Sequence, residues 1–172
     1  MQFAKDSFFM ALRERLTALN PARTITVNGI TRPAIVVAEN EIVVPVEPLP
    51  DAFYIEWGVA GLVERQTGAR RLMEMDCGIS YHTLGVADSG VDRGRELSAL
   101  DTELLNICQP GNTAKQDFTQ SPNVDLGTRI VWSEPGFGEV SGVIAQESST
   151  RRIRLERKTK LKVFFFPEVN FQ

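Results

Sequence analysis

Three groups of residues in this 172-residue chain are of types that do chemistry. Cys77 and the chain's one histidine, His82, could share a metal or form a nucleophile with its base. The run GFGEVSG, Gly136 to Gly142, is glycine-rich in the manner of phosphate-cradling loops. The run TRRIRLERKTKLKVFFFPE, Thr150 to Glu168, contains seven Lys or Arg residues. Such a strip can neutralise phosphates, blunt the edge of a strand, or meet an acidic neighbour.

The first two groups fail on spacing. Cys77 and His82 lie five apart in a segment of strict alternation, and on a strand that spacing sends them to opposite faces. Cys77 and Cys108 form no CxxC pair and are too few for a disulfide framework, so both are expected as buried free thiols. In GFGEVSG the third glycine is displaced from the kinase pattern. No Val-Ala-Ile-Lys strand, HRD or DFG motif follows in the 30 residues that remain. There is no G-x-S-x-G elbow, and carboxylate pairs such as Asp92 with Glu96 or Asp101 with Glu103 read as a solvated helix face. The sequence therefore predicts no enzyme, no cofactor and no metal.

The basic run survives. Residues 151–172 hold seven Lys or Arg against Glu156 and Glu168, whereas the other 150 residues hold 12 against 20 acidic ones. An acidic body with a basic strip speaks about association. Ile153, Leu155, Leu161, Val163 and Phe165 share one parity, and Arg152, Arg154, Glu156, Lys158, Lys160 and Lys162 share the other. This is a long strand with one apolar and one charged face, interrupted on the apolar side by Arg157 and Thr159; it is longer than a small sheet needs, so either one end projects or a bulge divides it near Arg157. The aromatics are bunched as Phe164, Phe165 and Phe166 and are not interleaved with the charges as base stacking requires. Edge strand, subunit joint and nucleic-acid surface all remain open at this point.

Other elements must position that strand. Phe8, Phe9, Leu12, Leu16 and Leu19 mark an N-terminal helix that stops at Asn20-Pro21, with Asp6 or Ser7 as a cap. TITVNGITRP carries the Asn-Gly pair of a tight hairpin. AIVVAENEIVVPVEPLP contains three prolines and reads as one short strand and an extended connection. Phe53, Ile55, Trp57 and Val59 alternate with polar or small residues, as do Met73, Met75, Cys77, Ile79 and Tyr81. With RQTGAR between them, these two strands should pair as an antiparallel hairpin. Leu97, Leu100, Leu104 and Ile107 stripe a second helix from about Asp92 to Cys108. The fold class that follows is α+β: a mixed, mainly antiparallel sheet with the N-terminal helix and the second helix packed on one face. One domain over 1–172 is expected, with long loops at 110–127 and 134–149, between the last strands.

No stretch approaches the roughly 18 apolar residues of a membrane span. The start, MQFAKDSFFMALRERL, is broken by charges and has no small-residue cleavage site, so the expectation is a cytoplasmic origin.

This order of elements, over roughly residues 5 to 166, resembles the tail terminator (tail completion) proteins of tailed bacteriophages. The opening DSFFMALRERLTALNPARTITVNG is similar to the start of proteins from prophage tail-gene clusters. The resemblance implies a structural protein without an active site that caps the tail tube as a six-membered ring. Such a ring ends tube polymerisation and presents a surface for head-tail joining. Its implied partners are further copies of itself, the tail tube protein and a head-completion or neck protein, with DNA only as passing cargo and no membrane. Its place would be the virion tail or neck, after assembly in the bacterial host cytoplasm. The length of the chain and its segment from Asn28 to Pro50 depart from the simplest members. A head-closure or adaptor protein of the neck is thus an alternative, and a small nucleic-acid-binding module is another of a different class. A ring needs heterologous contacts. Arg152, Arg154, Lys158, Lys160 and Lys162 are accordingly expected to face a neighbour or the channel, with Glu39, Glu41, Glu47 and Asp51 as candidate acidic partners.

Overall fold

The computed structural model describes the chain outside residues 42–47, 64–70, 86–89, 148–149 and 169–172, and describes side chains other than those of 40–41, 90, 144–147 and 150–153. Helix α1, Gln2–Leu19, buries Ala4, Phe8, Leu12 and Leu16, a row at spacing four on one face. It ends where the amide of Asn20 donates to the Leu16 carbonyl. Neither Asp6 nor Ser7 caps it, because the helix begins four residues before the earlier of them. Ser7 is instead buried in its middle, donating to the Phe3 carbonyl at 2.6 Å and accepting the amide of Gln116 at 2.9 Å.

Strands β1, Thr24–Val27, and β2, Ile30–Pro33, pair as the expected hairpin, with Asn28 at φ 52° and Gly29 at φ 79°. A short strand β3, Ile35–Val37, runs parallel to β4, Phe53–Leu62, with the single turn α2, Ala38–Glu41, between them. Strand β5, Met73–Thr83, lies antiparallel to β4. Helix α3, Gly90–Ile107, leads to β6, Gly111–Asp117, then β7, Val124–Trp132, then β8, Gly136–Glu147, and β9, Thr150–Phe165. The main sheet runs β3-β4-β5-β9-β7-β6, and β8 joins it on β9. The α+β class and the mixed, mostly antiparallel sheet are as the sequence predicts.

Both long helices pack on one face. Phe8, Leu12 and Leu16 of α1 and Leu97, Leu100, Leu104 and Ile107 of α3 join Ile55, Met75, Cys77, Ile79, Leu161, Val163 and Phe165 in one core. The sheet curls around α1, so Phe8 meets Trp57 of β4 and Trp132 of β7 edge-on, at 5.7 and 5.4 Å. On the opposite face the β1–β2 hairpin covers Val36 and Tyr54 in a small second cluster.

Three sequence expectations are corrected. The segments 110–127 and 134–149, expected as loops, carry β6 with the start of β7, and β8. In β6 the buried centre is Lys115, only 2% exposed, whose ammonium donates to the Phe166 carbonyl at 2.7 Å; a lysine inside erases the alternation that betrays a strand. β8 is glycine-rich and exposed on both sides from Gly138 to Gly142, so it has no buried face to pattern. In β4 a bulge places Gly58 and Val59 opposite Asp76 alone. Parity flips there: Val59 turns outward, 79% exposed, and Ala60 packs on the core instead.

Candidate assembly surface

β9 is the spine of the surface. Its odd positions Thr159, Leu161, Val163 and Phe165 are buried, and Lys158, Lys160 and Lys162 stand exposed on the face away from the helices. Arg154 shares that parity and is ion-paired with Glu156. Arg152 shares it by register, its side chain lying outside those described.

The strip is not a bare cationic surface. Flanking strands bring carboxylates to the same face: Glu56 from β4, and Glu74 and Asp76 from β5. Lys158 reaches Glu56 at 3.6 Å, and Lys162 donates to Glu74 at 2.7 Å. That bond to Glu74 holds the Lys162 ammonium above its ordinary pKa. These acidic partners are remote in sequence and emerge only from the register. The exception is Lys160, whose cross-strand neighbours are Gly78 on β5 and Gly136 on β8. No described side chain pairs with it.

Of the expected acidic partners, Glu39 and Asp51 have described side chains. Glu39 is held by Lys5 at 3.3 Å. The side chain of Glu41 and all of Glu47 lie outside the description. Asp51 sits at φ 59°, its amide donating to the His82 carbonyl.

The interruption at Arg157 and Thr159 has a physical reason. Both face the helix side, where Arg157 meets Asp101 of α3 at 3.1 Å and Asp101 accepts the hydroxyl of Tyr81. Burial, and then that bond, push the Tyr81 hydroxyl well above its ordinary pKa. Arg157 also donates to the Gly138 carbonyl at 3.0 Å and covers the ring of Phe137. Here β8, and not β9, bulges: Gly138 and Glu139 oppose Lys158 alone. A β-carbon on Gly138 would fall 2.7 Å from the Lys158 carbonyl oxygen, a clash with backbone. Gly138→Ala is therefore expected to lower unfolding free energy by about 1–3 kcal/mol. Gly136→Ala, whose added carbon meets nothing nearer than 3.6 Å, should stay within about 0.5 kcal/mol, both read by urea titration.

Beyond the last β5–β9 pair, Thr83 with Leu155, β9 continues with β8 as its sole described partner. Five residue pairs, from Val143 with Arg154 to Glu147 with Thr150, form a two-stranded arm past the sheet, about 16 Å long at 3.3 Å per residue. The outer edge of β8 has no described strand beside it, and neither has the edge of β9 that faces away from β8 over residues 150–154.

Among the described residues nothing in the surface resembles a catalytic centre. Cys77 and Cys108 are buried free thiols, and burial pushes the Cys108 thiol up to about 12. Among the described residues no cluster of three His, Cys, Asp or Glu could hold a metal.

No family model matches the chain, and no curated protein matches it. Among solved structures, a chain of the "Virion of native gene transfer agent (GTA) particle" is a distant structural match. It aligns over 92% of this chain and 97% of its own length, at 15% identity and TM-score 0.36. At that level the likeness bears on no individual residue, and the functional reading rests on the chain's own geometry.

Proposed function

We propose that this chain is a structural, non-enzymatic virion subunit that closes into a ring on the end of a phage tail tube, stops tube polymerisation and offers the surface for head-tail joining. The observation that carries the reading is the β8–β9 arm with an open edge on each side. Unpaired strand edges attract other strands, and β8 blunts its edge with one bulge and no lysine or internal proline. The two open edges belong to different strands, so one copy's β9 edge meeting the next copy's β8 edge is a heterologous contact, which closes into a ring when the rotation permits. Arg152 and Arg154 then sit in the contact. Lys158, Lys160 and Lys162 line the face that the helices leave bare, toward a neighbour or the channel. The proposed partners are copies of itself in a six-membered ring, the tube protein and a neck protein. The tail or neck of the virion is the proposed location.

The interleaved carboxylates count against a nucleic-acid-binding module. A phosphate backbone laid along β9 would meet Glu56, Glu74 and Asp76 as often as lysine. DNA is better placed as passing cargo.

The test has two parts. Light scattering on the purified chain should give a closed oligomer, and micrographs of particles made without it should show overlong or unsealed tails. Tails of normal length, unjoined to heads, would move the assignment to a head-closure protein. A monomer at all concentrations would remove the ring.

A further inference from the structure

Every described lysine on the outer face of β9 is matched by a carboxylate of the same chain except the central one. Lys160 lies in one cross-strand row with Glu56, Gly78 and Gly136. Glu56, the carboxylate of that row, is taken by Lys158. The two glycines leave bare backbone on either side of the lysine stem. Together with the β4 bulge they open a groove of about 620 Å³, rimmed by Glu56, Val59, Asp76, Glu134 and Lys162, the last already paired with Glu74. Three rim carboxylates repel a polyanion, yet the ammonium at the centre wants one negative partner. A single carboxylate carried on a protein side chain satisfies both conditions.

Resting on the ring reading above, we propose that Lys160 and its glycine-flanked groove receive an Asp or Glu side chain of the adjacent copy, and that this contact fixes which neighbour docks. The groove runs into Glu134 and Gly136, at the start of β8. A copy seated on the open β8 edge therefore also covers the mouth of the groove. Lys158 and Lys162, whose charges are balanced within the chain, contribute far less to docking.

Two kinds of variant separate this from a general charge effect. Lys160→Glu reverses the central charge. Gly78→Ala with Gly136→Ala fills the slot without touching charge, and the added carbons meet nothing nearer than 3.7 and 3.6 Å, so the fold accepts them. By light scattering over a dilution series, each is expected to raise the concentration needed for assembly about tenfold or more. Lys160→Arg, Lys158→Gln and Lys162→Gln should stay within about threefold of the unaltered chain. Melting temperatures should be unchanged throughout. Normal assembly of Lys160→Glu, or equal losses from Lys158→Gln and Lys162→Gln, would overturn the proposal while leaving the ring in place. Normal assembly with loss of DNA retention would overturn it in favour of phosphate. A monomeric unaltered chain would overturn the ring reading first and this contact with it.

Discussion

Excising residues 144–153 and joining Val143 to Arg154 through Asn-Gly is expected to leave a folded chain that no longer assembles at any accessible concentration. Val143 and Arg154 are register partners. A two-residue Asn-Gly turn therefore closes the shortened hairpin with the backbone twist its strands require. Every described side chain that packs on the core is retained: among them the buried β9 residues begin at Thr159, and Leu155 at the arm's base remains. The cut removes four of the five pairs that project past β5, and with them the open edge of β9 and the outer third of the β8 edge. Each lost strand contact removes main-chain hydrogen bonds that no side-chain substitution can replace. Light scattering should report a monomer, and the melting temperature should fall by no more than about 2 °C, because terminal hairpin extensions of this kind carry little of the global stability. A ring that survives the excision would place the subunit contact elsewhere on the molecule and remove the main support for the capping role.

How far the sequence foretold this depends on whether the signal was local. Asn28-Gly29 gives its hairpin away because positive φ at two successive residues needs those two residue types. α1 and α3 are legible because one buried face per helix writes a spacing of three and four. β9 is legible for the same reason at spacing two. Val59 breaks the rule, since alternation with Phe53, Ile55 and Trp57 places it inside, whereas the bulge at Gly58 turns it out. A bulge costs one residue of phase and leaves almost no trace in composition. β6 hides behind Lys115, and β8 hides because a strand open to solvent on both faces has nothing to alternate.

The surface divides in the same way. That Lys158, Lys160 and Lys162 share a face is written in their spacing. That Lys158 and Lys162 are neutralised and Lys160 is not depends on pairing β9 with β5 and β4, strands some 80 to 100 residues away. Glu39, Glu41, Glu47 and Asp51, the acidic candidates offered by the sequence, lie together in one short segment. Glu56, Glu74 and Asp76 are isolated carboxylates in apolar strands, and only the register brings them together. Arg157 reads as a flaw in an apolar face, and it is in fact the ion pair that ties β9 to Asp101, which also accepts the Tyr81 hydroxyl.

The largest loss of stability is expected from Phe8→Ala. Phe8 is fully buried, and its ring stands edge-on between Trp57 and Trp132. Those tryptophans belong to β4 and β7, the two limbs of the curled sheet, so Phe8 is the wedge across which the curl closes. Removing a phenylalanine side chain from a core costs about 3–5 kcal/mol, and the upper part of that range applies when the walls cannot relax into the space. Here they are pinned. Trp132 donates its indole N–H to the Gln109 carbonyl at 3.0 Å and lies under the guanidinium of Arg15, and Trp57 lies under the ammonium of Lys5. For a chain of this size the loss corresponds to a fall in melting temperature on the order of 10 °C. The chain has two tryptophans in all, and both line the vacated site, so intrinsic fluorescence in a urea titration reads the junction directly. Phe8→Leu, which keeps most of the volume, should lose less than half as much. A loss below about 1.5 kcal/mol for Phe8→Ala would mean that the limbs are held by something other than this wedge. Below its lowered melting temperature the Phe8→Ala chain should still assemble, because the arm lies away from α1 and the Lys160 groove meets the Phe8 contacts through Trp57 alone. The excised chain should do the reverse, and the contrast separates what holds this fold together from what it is proposed to build.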